Sequence, residues 1–126
     1  MIALPPAVIV HSLADAKKAL APGRPVILLS APGAAQYAGC LWWRELLAAA
    51  NFTGPALLDC GLAPGRALEA LHLGLLGVVL HAPAPAFAIV SELAAANGAL
   101  ALALAPPALD FGQNGAIRRL ESWLAG

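Results

Sequence analysis

Apolar residues in this chain fall into short unbroken runs, separated by longer stretches in which they recur every three or four positions. The runs are Ala7 to Val10, Val26 to Leu29, Ala56 to Leu58, Val78 to Leu80 and Ala99 to Leu104. Each is short and bounded by turn-forming residues, which predicts five strands. Most are apolar throughout instead of alternating with polar residues, as expected of parallel strands covered on both faces. The last alternates by size: Leu100, Leu102 and Leu104 point one way and alanine the other, which predicts one closely packed face.

The stretches between the runs carry helical periodicity. Ser12 and Asp15 form an S-x-x-D capping pattern ahead of Leu13, Ala16 and Leu20, and Gly23 closes that first helix. A second helix is predicted over Ala34 to Ala50, about 25 Å at 1.5 Å per residue. A third covers Gly65 to Leu73, and a fourth runs from Ala86 to Ala96 and stops at Asn97 and Gly98. The last begins near Asn114 and buries Ile117, Leu120 and Trp123 or Leu124.

Strands alternating with helices predict a single α/β domain over residues 1–126, with a mainly parallel sheet. Right-handed crossovers leave two wrappings. The preferred one is a three-layer sandwich with a five-stranded sheet in the flavodoxin-like order 2-1-3-4-5. The alternative is a curved half-barrel of order 1-2-3-4-5.

Composition adds a constraint. Charged residues are 11% of the chain and hydrophobic ones 60%, against about 25% charged in an ordinary domain. A monomer of this size exposes roughly 6,200 Å², a large surface for seven basic and seven acidic side chains to dress. Self-association as a homodimer is the expected remedy. Its predicted contact surface is the second helix, where Trp42, Trp43 and Leu46 place large apolar groups around more of the circumference than one sheet can cover.

No stretch reads as a membrane span: the uncharged run Ala70 to Ser91 is interrupted by His72, Gly74, Gly77, His81, Pro83 and Pro85. Met1 to Val10 has no preceding base and is broken by Pro5 and Pro6, a poor signal peptide, so a cytoplasmic location is expected. The formal net charge of zero offers no footprint for nucleic acid. Cys40 and Cys60 have neither metal-site nor disulfide spacing, no metal is predicted, and the absence of a phosphate loop or dinucleotide fingerprint leaves no cofactor to expect.

Candidate chemistry gathers where the strands end. His11 and Ser12 follow the first run, Ser30 the second, Asp59 and Cys60 the third, and His81 the fourth. Asp59 is the candidate orienting carboxylate, His81 or His11 a proton carrier, and Cys60 a nucleophile. Asp59 and His81 are expected to be neighbours. Ser30, Gly33 and Ala34, leading into the second helix, are the candidate anion-binding residues. The alternative reading makes Asp59 a turn cap and Cys60 a small core residue. Two functions follow: a non-catalytic module acting through self-association or a protein partner, the preferred one, and a binding protein or enzyme for a small anionic metabolite at the strand ends. Whether the chain is an enzyme is left open.

Two local resemblances accompany these patterns. Leu57-Leu58-Asp59-Cys60-Gly61-Leu62-Ala63-Pro64-Gly65 resembles the third-strand segment of response-regulator receiver domains, and Asn97-Gly98-Ala99 with Pro106 resembles the flanks of a receiver's last strand. The likeness implies a phospho-accepting Asp59. A receiver's acidic pair and lysine are replaced here by His11, Ser12 and Ala105, which implies an interaction module. Leu58 to Leu80 is also similar to the βα repeats of aldolase-type barrels, without a Schiff-base lysine, since Lys17 and Lys18 lie in the first helix. The chain is assigned to neither family.

Overall fold

The computed structural model describes residues 4–126; the first part of the Met1 to Val10 stretch lies outside them. Its elements follow in the order β1 (Ala7–Ile9), α1 (Leu13–Leu20), β2 (Ile27–Leu29), α2 (Ala34–Tyr37), α3 (Cys40–Ala49), β3 (Ala56–Asp59), α4 (Pro64–His72), β4 (Gly77–Val79), α5 (Ala84–Ala96), β5 (Leu100–Leu102) and β6 (Ala108–Asp110). A 3-10 turn (Ile117–Arg119) then leads into α6 (Leu120–Leu124). The chain is a single α/β domain with an all-parallel sheet, and the sheet has six strands, not five. The extra strand is β6. Pro106 and Pro107 mark the segment before it as loop, yet a proline can stand immediately before a strand's first residue.

The sheet order is β5-β4-β3-β2-β1-β6. The flavodoxin-like order 2-1-3-4-5 is therefore replaced by the half-barrel alternative, with β6 added beyond β1. This order also separates the chain from the receiver topology, in which the first strand lies between the second and third.

The helices do not divide between two faces. The buried residues of all six helices join one core with Val8, Leu28, Leu58, Val78 and Leu109 of the strands. The opposite face holds Ala7, Ile27, Leu29, Leu57 and Val79, flanked by Ile9, Leu102 and Ala108, all of them strand residues. A flat sheet could not bury that second set, so the sheet curls on itself. Chain length demands the same: 108 − 102 gives six Cα steps from β5 to β6, at most about 21 Å, whereas five strand spacings on a flat sheet come to about 24 Å. The molecule is a small, barrel-like parallel sheet wearing its helices outside, with β5 and β6 as its two edges.

Local sequence explains how the elements close. Ser12 caps α1 by accepting the Asp15 N–H at 3.2 Å, and the Asp15 carboxylate accepts the His11 N–H at 2.9 Å. The long second helix is interrupted: α2 ends at Tyr37, and Gly39, at φ 93°, starts α3 in a direction other residues rarely adopt. Gly77 lets β3 and β4 approach, since a Cβ there would strike the Ala56 carbonyl. Trp123 of α6 donates its indole N–H to the Ala7 carbonyl at 2.8 Å, tying the last helix to β1.

Candidate functional site

Side chains alternate along a strand, so residues two steps beyond the concave set share its side. Past Ile9, Leu57, Val79 and Ala108 come His11, Asp59, His81 and Asp110. These four gather at the carboxyl ends of the strands, where barrel-like sheets of this kind carry their chemistry.

Asp59 and His81 form one pair. The carboxylate is 4% exposed and the imidazole 37%, with Oδ2 and Nε2 separated by 3.7 Å. Asp59 Oδ1 accepts the N–H groups of Gly33 at 3.0 Å and Gly61 at 2.8 Å. Its backbone N–H donates to Ser30 Oγ at 2.8 Å, and that hydroxyl donates onward to the Ala31 carbonyl. The His81 N–H donates to the Gly61 carbonyl at 2.8 Å, so backbone bonds fix both partners. Gly61 has a positive φ, and a Cβ there would run into the Gln36 amide, itself bound to the Cys60 carbonyl.

His11 and Asp110 form the other pair, with Nε2 and Oδ1 at 2.7 Å. Asp110 Oδ1 also accepts the Gly112 N–H at 2.8 Å. Burial raises the Asp110 carboxyl, but the His11 hydrogen bond, the Gly112 N–H and the His11 charge outweigh it and hold its pKa below the usual value. An ionised carboxylate can only accept, so His11 Nε2 is the donor in this bond. A Cβ on Gly112 would stand 2.9 Å from His11 Nε2, so glycine is required for this contact.

The remaining candidates fall elsewhere. Cys60 steps to the opposite side from Asp59 and lies in the helix-facing core. Burial, then the charges of Cys40 and Asp59, push its thiol up to about 12, so it carries no thiolate at neutral pH. Cys40 is pushed up to about 11 by burial and by the hydrogen bond and charge of Glu69, with Arg66 opposing. The anion-binding expectation at Ser30, Gly33 and Ala34 meets a different arrangement: the Gly33 N–H is given to Asp59, and the Ala34 N–H to the Ala31 carbonyl. The protein's own carboxylate takes the anion's place.

The second helix is corrected too. Trp43 is 1% and Leu46 6% exposed within their own chain. Spacing of three turns Cys40, Trp43 and Leu46 together toward the sheet. Trp42 is half-buried, its ring centroid 5.6 Å from that of Trp43.

No family model, curated protein or solved structure matches this chain. Its chemistry is therefore read from the side chains themselves. Two hollows of about 260 and 390 Å³ lie at the far, amino-terminal ends of the strands, the first beside Ile27, Leu57 and Leu100, the second beside Pro106, Pro107 and Trp123. Neither is lined by an ionisable side chain. The two His–Asp pairs stand at the opposite rim. There, β2 separates the two pairs, so Asp59 and His11 are two strand spacings apart, about 10 Å along the sheet. Asp110 escaped the sequence reading, because its three-residue strand directly after the proline pair is too short to show a period.

Proposed function

We propose that this protein binds a small polar metabolite at the carboxyl-end rim of its sheet and exchanges a proton with it there. The observation that supports this reading is that two imidazoles, each beside a carboxylate, are delivered to one rim by four different strand ends. His81 and His11 are each more than a third exposed, so a ligand can reach them. Asp59 is buried and already bound by two N–H groups, which makes it an orienting group for His81 and not a contact. An imidazole can accept a proton from a bound ligand, and an imidazolium attracts an anionic substituent. A metabolite bearing both an exchangeable proton and a carboxylate fits that pairing.

A thermal-shift screen of small hydroxy-, keto- and amino-carboxylates tests this. At least one should raise the wild-type melting temperature in a concentration-dependent way, and Asp59→Asn or His81→Gln should remove the rise. A wild-type protein unmoved by every member of the panel, or variants that respond as it does, would contradict the site.

A module acting through self-association has its own supporting observation. Between Ala82 and Pro107 Glu92 is the one charged residue, and this surface includes Ile89 and Leu104, exposed by 61% and 74%. In the second-helix stretch Trp43 and Leu46 are spent on the chain's own core, while Tyr37 and Leu41 are exposed.

A further inference from the structure

We infer that Arg118 recognises the carboxylate of a ligand bound at the rim; this rests on the proton-exchanging site proposed above and adds its anion-binding group. The two His–Asp pairs bring no permanent cation. Asp59 and Asp110 supply carboxylates that repel a ligand's own, and an imidazole attracts an anion only while it is protonated. A guanidinium is charged at every working pH and offers a planar fork of N–H donors that matches a carboxylate.

The chain delivers such a group to the loop that carries the His11–Asp110 pair. Past Asp110 the backbone makes successive turns: Gln113 donates its N–H to the Asp110 carbonyl at 3.0 Å, Ala116 to the Gln113 carbonyl at 3.3 Å, and Arg119 to the Ala116 carbonyl at 2.9 Å. Only after them does α6 descend to the far end, where Trp123 meets the Ala7 carbonyl. Two glycines of this loop each make room for a basic side chain, Gly112 for His11 and Gly115, at φ 77°, for Arg118. A Cβ on Gly115 would stand 3.3 Å from Arg118 Nη2 and 4.0 Å from Nε, so the guanidinium lies over this glycine. Gly112 and Gly115 are three residues apart, at most about 11 Å in a fully extended chain, and the turns bring them nearer. A small metabolite can span that distance.

Arg118 is also free to take a ligand. Arg24, Arg44 and Arg66 each face a glutamate. Among the described residues no carboxylate lies within ion-pair distance of Arg118, which is exposed. Arg119 is exposed as well, but successive side chains of a 3-10 turn point about 120° apart, so it leaves the turn in another direction. The ligand class that follows is a small carboxylate whose anionic end lies on Arg118 and whose polar substituent faces His11.

Lactate, pyruvate and alanine, each beside its carboxamide, are the probes, with binding read by thermal shift and calorimetry. The wild-type chain should bind at least one acid, and its amide about tenfold or more weakly. Arg118→Gln should weaken that acid about tenfold or more and leave the amide unchanged, so the preference for the acid collapses. A variant that merely loosened the loop would lose both together. Arg118→Lys, which keeps the charge without the fork, should fall between. Arg119→Gln removes the same charge one residue on and should bind as the wild type does. An acid that binds Arg118→Gln as tightly as wild type, or an acid and amide that bind wild type equally, overturns the inference while leaving the rim site in place. Equal losses in Arg118→Gln and Arg119→Gln would reduce the effect to net charge and overturn it too. A wild-type chain unmoved by every probe contradicts the rim site itself, and the inference with it.

Discussion

Asp59 holds the backbone N–H groups of Gly33 and Gly61 with one carboxylate oxygen, and its replacements should separate structure from chemistry. Asp59→Ala leaves the Gly33 and Gly61 N–H groups without an acceptor in a largely buried place, a loss of roughly 2–4 kcal/mol for two such groups. Asp59→Asn keeps an acceptor and removes the charge, so denaturant unfolding should show a loss of less than half that size. A variant pair of equal stability would mean the N–H groups find water instead. Asp110 supports a pH prediction. Its pKa in the folded chain is depressed, so its contribution is present above the ordinary aspartate range and lost as pH falls through the folded value. The stability gap between wild type and Asp110→Asn should be on the order of 1 kcal/mol at pH 6 and narrow as pH falls below the ordinary aspartate range, and a gap that widens in acid would contradict the pairing. Asp59 and His81 were legible in the sequence because each directly follows an apolar run. Cys60 is the small core residue that one of the two sequence readings made it, because one step beyond Asp59 turns it into the helix layer.

At the scale of elements, strands and helices were legible wherever a run or a period was long enough to show. The helix expected over Ala34 to Ala50 was legible as helix but not as two pieces, because a single glycine is tolerated inside a helical pattern and only φ reveals the break at Gly39. That break re-aims α3 and settles which indole the core receives. Trp43→Ala should cost about 3–5 kcal/mol and leave the hydrodynamic mass unchanged, whereas Trp42→Ala should cost less than half as much; equal losses would place both rings in the core. β6 was not legible, since three residues after a proline pair carry no measurable alternation, and Asp110 was lost with it. At Gly77 a Cβ would strike the Ala56 carbonyl. Gly77→Ala should destabilise by roughly 1–3 kcal/mol, as overpacking does, without altering ligand binding at the far rim.

At the scale of the molecule, apolar runs reveal that strands are covered on both faces but not by what. A second helix layer and the interior of a curled sheet bury side chains equally well, so the sandwich and the half-barrel gave the same pattern. The five-residue link from β5 to β6 is too short for a flat sheet, but that constraint appears only once β6 is known to lie beside β1. Curling brings strand ends from opposite edges toward one rim, which carries the two His–Asp pairs. Shortage of charge was legible in the composition, but composition names no surface. The most direct test of the rim is a ¹H–¹⁵N correlation spectrum recorded while the chain is titrated with the carboxylate that gives the largest thermal shift, or with the whole panel in turn. The account predicts perturbations concentrated at Ala31, Gly33, Gly61, Ala82 and Gly112. Spectra that do not change, or changes confined to Thr53, Gly54 and Ala56 at the opposite end, would contradict it.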